Sequence, residues 1–260
     1  MKLFIRIFLF LIPYYCIGQS ANDSINKRIE YLIDKKTKIE ITKSEKTELL
    51  NYGYSIQNRA FIFSENNLDY LKALVPLDSA LSFWILTNDS ANQANLRKYK
   101  GFLLGRLKRF SEAKKEVHQA IKIFKKLNID SGVAVSQYDM ALVFVMEGSL
   151  DSALIYQKQA TDFWIKKNVS KRIIINNTLL IDLYRSLKNY TKAIEIQRIN
   201  ESLLQTDDYW KTVIDFYYVS YRLFKEVNNT VKADLFKNQY NDKLEELKDK
   251  DIQTKSFYDI

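Results

Sequence analysis

The chain has 260 residues, of which 47% are hydrophobic, and a formal net charge of +9 at pH 7. A chain of this size can bury a substantial core, but six glycines and two prolines are too few for a β-fold with many turns. Runs of Leu, Ile, Lys and Glu at helical spacing therefore predict an all-α protein.

The N-terminal residues 1–18 are predicted to be a secretory signal peptide. Lys2 and Arg6 give a positive start, and residues 7–15 form an apolar core that is short for a membrane span of about 20 residues. The alternative is an uncleaved anchor, which would be the chain's link to a membrane. Export predicts a periplasmic, extracellular or cell-surface protein of a bacterium. Because Cys16 is the only cysteine, the processed chain would have no disulfide and no thiolate metal site.

Three further segments follow the predicted signal peptide. Residues 22–53 carry an apolar stripe at helical spacing, which includes Ile25 and Ile29, and they are predicted to be N-terminal capping helices. Residues 54–247 contain an internal repeat and are predicted to form a helical repeat domain. Residues 248–260 are polar and are predicted to be a tail.

Alanine recurs every 40 residues, and a second small residue often follows seven residues later. The repeated columns are separated by spacings that place them along one face of a helix. The structural repeat positions are Ala73, Ala113, Ala120, Ala153, Ala160, Ala193 and Ala233. Each unit therefore reads as helix, turn, helix, turn. A column of Asn or Asp marks the turn after the second helix, where Asn tolerates left-handed backbone. That column consists of Asn88, Asn128, Asn168 and Asp208.

These columns resemble the tetratricopeptide repeat (TPR) family. The matching residues are Gly101, Phe110, Ala113 and Ala120 in one unit, and Ala141, Gly148, Leu150, Ala153 and Ala160 in the next. The resemblance covers roughly residues 54–247, with a unit of 40 residues where about 34 is usual. It implies a right-handed α-solenoid of antiparallel helix pairs, whose concave face binds a protein or peptide.

Pro76 leaves the register of the first repeat open. Inside the second helix of that repeat it would remove a hydrogen bond and kink the helix. Alternatively, it stands at the first turn of a shorter helix that starts near Leu77, which is a favoured site for proline.

The first helix of each pair lines the concave side in a solenoid of this kind. Helical spacing assigns eight candidate partner-binding residues to that side. They are Lys98, Phe102, Arg106, Tyr138, Asp182, Arg185, Tyr218 and Arg222. Aromatic side chains would supply contact area and arginines direction, so the set fits an acidic segment of a partner. The alternative is that several of these side chains pack between repeats.

The basic charge is concentrated in one repeat unit. Residues 97–126 contain eleven lysines and arginines against two glutamates, so this segment alone carries +9. Such a unit would suit an anionic surface of lipid, polysaccharide or protein. The alternative is that the lysines only solvate a helix pair. Nucleic acid is the least expected partner, because no recognition motif accompanies the charge.

No catalytic pattern occurs in the sequence. His118 is the single histidine, which excludes a zinc site with two histidines. Phosphate-binding, dinucleotide-binding and nucleophile-elbow patterns are also missing, so the sequence predicts no enzyme, no cofactor and no metal. The preferred hypothesis is an exported scaffold or adaptor. A detached sensory or regulatory module of a bacterial signalling system is the second hypothesis, and a binder of an anionic surface is the third. The oligomeric state stays open.

Overall fold

The computed structural model describes residues 19–38, 42–66, 69–204 and 210–249. These ranges fold into eleven α-helices and one π-helical turn, and no β-strand occurs within them. The predicted all-α class is therefore confirmed. The predicted signal peptide and the part of the predicted tail beyond Asp249 lie outside the described residues.

The helices follow one another at short and regular intervals. Their bounds are α1 Gln19–Lys38, α2 Lys43–Phe61, α3 Tyr70–Leu86, α4 Ser90–Arg106, α5 Phe110–Lys126, α6 Asp130–Glu147, α7 Leu150–Lys167, α8 Ser170–Ser186, α9 Tyr190–Leu203, α10 Trp210–Glu226 and α11 Thr230–Asp249. The π-helical turn, Ile62–Asn66, continues α2. In the predicted capping segment 22–53, residues 22–38 belong to α1 and residues 43–53 to α2. None of the helices in the described ranges combines the length and the hydropathy that crossing a bilayer requires.

Left-handed backbone ends the helices at regular intervals. The residues with positive φ are Asn88, Lys108, Asn128, Gly148, Asn168, Lys188 and Asn228. The residue after each one donates its backbone N–H to a carbonyl five residues earlier, as Arg109 does to Leu104 and Asn189 to Tyr184, both at 2.8 Å. This bond belongs to the Schellman motif, which satisfies carbonyls that a helix end leaves open. Three predicted asparagines adopt this conformation, and Asp208 lies outside the described residues.

The alanine columns are buried. Relative exposure is 6% for Ala233 and 0% for Ala73, Ala113, Ala120, Ala153, Ala160 and Ala193. Gly101 shows how closely two helices approach beside this column. A Cβ atom at Gly101 would lie 3.0 Å from the Ala113 carbonyl oxygen and closer still to the Val117 side chain. Small residues therefore let α4 and α5 pack with their backbones close together.

Pro76 lies inside α3, which continues through it to Leu86. Of the two alternatives, the structure therefore has the proline within the second helix of the first pair. Because proline has no backbone N–H, it cannot donate to the Lys72 carbonyl one turn earlier.

The chain divides into two compact units, Met1–Gly132 and Val133–Ile260. The interior of the first unit is almost entirely apolar. Among the described residues, its buried polar side chains are the hydroxyls of Ser64, Ser79 and Thr87. Each of the three donates a hydrogen bond to a backbone carbonyl of its own helix or turn, so these groups stay satisfied.

The interior of the second unit contains buried amides. Gln157 of α7 has 0% exposure at the position where the first unit has Val117. Its Nε2 donates to the Asn176 carbonyl oxygen at 2.8 Å, while Asn200 Nδ2 of α9 donates to the Ile174 carbonyl oxygen at 3.0 Å. Side chains of α7 and α9 thus bind the backbone of α8, so this helix is held by hydrogen bonds as well as by apolar packing.

Candidate partner-binding face

The eight predicted partner-binding residues lie on α4, α6, α8 and α10, the first helices of their pairs. Within the second unit, α8 and α10 contact each other directly, so first helices of successive pairs pack side by side there. Each unit holds its own cluster of these residues.

In the first unit, α4 carries two aromatic side chains, Tyr99 and Phe102, with the guanidinium group of Arg106 beside them. Four residues separate Phe102 from Arg106, which places them on one helix face. The Arg106 guanidinium carbon lies 5.3 Å from the centre of the Phe102 ring, within cation–π range. Phe102 stacks on Tyr99 at 6.4 Å, and Tyr99 meets the edge of Phe61 from α2 at 4.6 Å. Lys98 is half-buried one turn before Phe102.

Arg106 is a partly desolvated cation. Burial lowers the pKa of its guanidinium, although the nearby Tyr70 opposes the shift. A guanidinium remains charged at neutral pH even so. Its attraction to an anionic group is therefore screened less by water than that of a fully exposed arginine.

In the second unit, a buried ion cluster joins α8 to α10. Asp182 and Arg185 have only 9% and 6% exposure. Arg185 donates from Nε and Nη2 to Asp182 Oδ1 at 2.9 and 2.7 Å, and from Nη1 to Glu226 Oε1 of α10. Burial lowers the pKa of Arg185, but the charges of Asp182 and Glu226 outweigh it and the net direction is upward. Both predicted binding residues thus have their charges compensated within the chain.

Tyr218 and Arg222 form a more exposed part of the same cluster. The Arg222 guanidinium carbon lies 5.8 Å from the centre of the Tyr218 ring, and Tyr218 contacts Tyr240 of α11 at 5.4 Å. Arg222 Nη1 is 3.5 Å from Asp182 Oδ1, yet 34% of the Arg222 side chain is exposed. An aromatic residue followed four residues later by an arginine therefore occurs in both α4 and α10.

Tyr138 of α6 lies in an acidic setting. Burial raises the pKa of its phenol above the usual range, and the charges of Asp215 and Asp139 act in the same direction, while Arg172 opposes them. Asp215 belongs to α10 and Arg172 to α8, so Tyr138 interacts with both later first helices of its unit. The phenol stays protonated at neutral pH and can donate a hydrogen bond.

Glu226 also belongs to this cluster, although it is not among the predicted partner-binding residues. It accepts from Arg185 and, at 3.3 Å, from the Tyr190 hydroxyl. Its position is three repeat lengths after Arg106. The 40-residue column through Arg106 therefore includes Ser186 and Glu226. Arg185, a predicted partner-binding residue, lies one residue outside this column.

The described residues contain no group of three or more His, Cys, Asp or Glu side chains arranged to hold a metal ion. His118 is exposed on α5. The clusters on the first helices consist of aromatic rings, arginines and, on α8 and α10, the carboxylates of Asp182 and Glu226.

No known family profile matches this sequence, and no curated protein matches it. Solved structures do match. BtubC (BKLC) from P. vanneervenii is similar with a TM-score of 0.64 and 14% identity, over 86% of this chain and 92% of that chain. Aspartyl phosphate phosphatase F from Bacillus subtilis is similar with a TM-score of 0.64 and 14% identity, over 95% of this chain and 73% of that chain.

A putative kinesin light chain from Podosopora anserina, described by its nearly identical TPR-like repeats, is also similar. Its TM-score is 0.57 at 14% identity, over 74% of this chain and 94% of that chain. At such low identity the similarity concerns the fold. The chain has the TPR-like helical repeat fold, and the resemblance inferred from the alanine columns is confirmed at that level.

Proposed function

We propose that this protein is an exported, non-catalytic scaffold or adaptor that binds a protein or peptide. The partner would contact the first-helix face of each unit. By this we mean the side chains in the repeat columns of Lys98 and Phe102, on α4 in the first unit and on α6, α8 and α10 in the second. The TPR-like fold supports this proposal because stacked repeats present extended surfaces for partners. Export rests on the predicted signal peptide.

The observation that carries the proposal is the pair of aromatic–arginine clusters. Phe102 with Arg106 and Tyr218 with Arg222 each combine a flat apolar ring with a cation at about 5–6 Å. Aromatic residues and arginine are enriched among the residues that dominate binding energy at protein interfaces.

The buried ion cluster of Asp182 and Arg185 contacts Arg222 and orders its side chain. Asp182 is fixed by Arg185 and lies 3.5 Å from Arg222 Nη1, which limits the conformations open to the Arg222 side chain. A side chain that is already ordered loses less entropy when it binds a partner. The side chains of Arg222 and Glu226 are 34% and 32% exposed, but Glu226 is bound by Arg185. Arg222 is therefore the charge of this cluster that would face an acidic segment of the partner.

A pull-down from the envelope fraction of the source bacterium tests this proposal. The bait would be the unmodified protein, compared with Phe102→Ala and Tyr218→Ala. Loss of an anchoring aromatic residue is expected to weaken capture of the partner about tenfold or more.

Tyr31→Ala is the matched control, since Tyr31 is an aromatic residue with 52% exposure on α1, which is not one of the helices of the first-helix face. It is expected to capture the partner as the unmodified protein does. Equal capture by all the variants, or no partner at all, would contradict the proposal.

A further inference from the structure

The charges of the basic unit 97–126 fall into two groups. Three cations on and just after α4, Arg97, Lys100 and Arg109, form ion pairs. Arg97 binds Glu116 at 2.7 Å, and Lys100 binds Asp78 at 2.6 Å. Arg109 similarly binds Glu112, which is the other glutamate of the segment. Both glutamates of the segment are therefore paired with these three cations, and Glu112 also interacts electrostatically with Lys115.

The second group is a row of basic side chains along the outer surface of α5. Lys115, His118, Lys122 and Lys126 recur at spacings of three, four and four residues, which is one face of a helix. All four are exposed, as is the adjacent Lys125. Lys126 stands eleven positions after Lys115, so the row extends about 16 Å along the helix.

No carboxylate among the described residues lies within ion-pair distance of the lysines in this row, which we call the α5 lysine stripe (Lys115, Lys122, Lys125, Lys126). The last two also lie in the final turn of α5, where cations interact favourably with the helix dipole. That local effect does not account for Lys115 or Lys122, which stand farther from the helix end.

The chemistry of the stripe distinguishes between anionic partners. Protein interfaces are enriched in arginine and aromatic residues and depleted in lysine. The stripe has neither arginine nor an aromatic ring, and lysine offers a hydrated point charge without the fork geometry that recognises one fixed carboxylate or phosphate. Such a row suits a continuous sheet of mobile negative charge, which is the surface of an anionic lipid bilayer.

We propose that the α5 lysine stripe docks this protein on an anionic lipid bilayer. The contact is electrostatic and superficial and needs no insertion of the N-terminal segment. It uses the second helix α5 and none of the helices that carry the first-helix face. Each lysine close to an anionic bilayer strengthens binding about fivefold.

Vesicle co-sedimentation of the full chain tests this proposal. The vesicles contain phosphatidylcholine alone or with about 30 mol% phosphatidylglycerol, at low and at high salt. The chain is expected to bind the anionic vesicles more tightly than the neutral ones, and this preference should fall as salt screens the charges. The triple variant Lys115→Glu, Lys122→Glu, Lys126→Glu is expected to bind the anionic vesicles about 100-fold more weakly.

The control variant is Lys166→Glu, Lys211→Glu, Lys237→Glu. It makes the same change in net charge at three exposed lysines on α7, α10 and α11. Circular dichroism verifies that both variants keep their helix content. Binding of the control within about threefold of the unmodified chain supports the stripe as a localised site.

Three outcomes overturn the proposal. These are equal binding to neutral and anionic vesicles, an equal loss in the control variant, and stronger stripe-dependent binding to polyglutamate or duplex DNA than to anionic vesicles at matched negative charge. The last outcome would assign the stripe to an acidic protein or to nucleic acid. All three leave the pull-down on Phe102 and Tyr218 unaffected, because those residues lie on first helices.

Discussion

Single residues set the spacing of most helices, because one residue in left-handed backbone follows seven of the eleven described helices. Asn and Gly adopt this conformation readily, whereas other residues pay about 1 kcal/mol or more. Lys108 and Lys188, with φ of 59° and 61°, therefore stand in a conformation that their side chains disfavour. The same backbone hydrogen bonds form at the lysine turns as at the asparagine turns. The Schellman motif therefore forms even where the residue type disfavours left-handed backbone.

Replacing Lys108 with asparagine is expected to stabilise the protein. Lys108→Asn should raise the free energy of unfolding by about 0.5 kcal/mol, because Asn pays less for left-handed backbone. Urea unfolding measures this change. Lys122→Asn in the middle of α5 should have the opposite sign, since Asn is a poorer helix former than Lys. A lower stability for Lys108→Asn would contradict the role given to this turn.

The alanine columns predict a second effect at the residue scale. Ala153 has 0% exposure, whereas Ile155 on the same helix has 58%. Ala153→Trp should lower the free energy of unfolding by about 1–3 kcal/mol or more, because the large ring must force the helices apart. Ile155→Trp should change it by less than about 0.5 kcal/mol. Similar losses in the two variants, measured by urea unfolding, would argue against a close crossing at Ala153.

At the scale of elements, α8 is joined to its neighbours in the second unit by side-chain hydrogen bonds and an ion pair. Amides of α7 and α9 bind its backbone carbonyls, and Arg185 with Asp182 joins it to Glu226 of α10. The corresponding columns of the first unit hold apolar side chains, such as Val117 where the second unit has Gln157. The amide nitrogens of Gln157 and Asn200 make these hydrogen bonds, while their buried amide oxygens have no partner among the described residues. The bonds that form add orientation to the packing of α8.

Removal of the Arg185 side chain is expected to weaken the contact between α8 and α10 and to destabilise the protein. Arg185→Ala should lower the free energy of unfolding by about 3 kcal/mol, because Asp182 would remain buried without its principal counter-charge. Arg222→Ala should cost less than about 1 kcal/mol, since that arginine is one-third exposed. Chemical denaturation of the two variants gives the comparison. Equal losses would show that burial does not distinguish these arginines.

At the scale of the whole molecule, periodic features of the chain could be predicted and pairings between distant side chains could not. Buried alanines and left-handed asparagines follow from spacing and residue type alone. The polar pairs Lys108-Arg109 and Lys188-Asn189 predict turns, but lysine does not favour left-handed backbone, so that conformation appears only in the structure. The link from Arg185 to Glu226 joins residues 41 positions apart on different helices, and it depends on side-chain directions that helical spacing does not specify.

The candidate site was predictable in part for the same reason. Helical spacing assigns Phe102 and Arg222 to first helices, where the structure has them. It could not show that Asp182 and Arg185 would neutralise each other while Arg222 stays one-third exposed. Which charges pair with each other depends on three-dimensional contacts. Only the structure therefore shows that Asp182 and Arg185 bind each other, while Arg222 stays exposed enough to contact a partner.

Site-specific photocrosslinking tests the central claim most directly, namely that a protein partner lies on the first-helix face. A photoreactive phenylalanine analogue would replace Phe102 or Tyr218 on first helices, and Ile155 or Leu235 at exposed positions on second helices. The account predicts that one partner from the bacterial envelope crosslinks at Phe102 and Tyr218 and at neither second-helix position. Crosslinking to that partner from Ile155 or Leu235, with none from Phe102 or Tyr218, would contradict it.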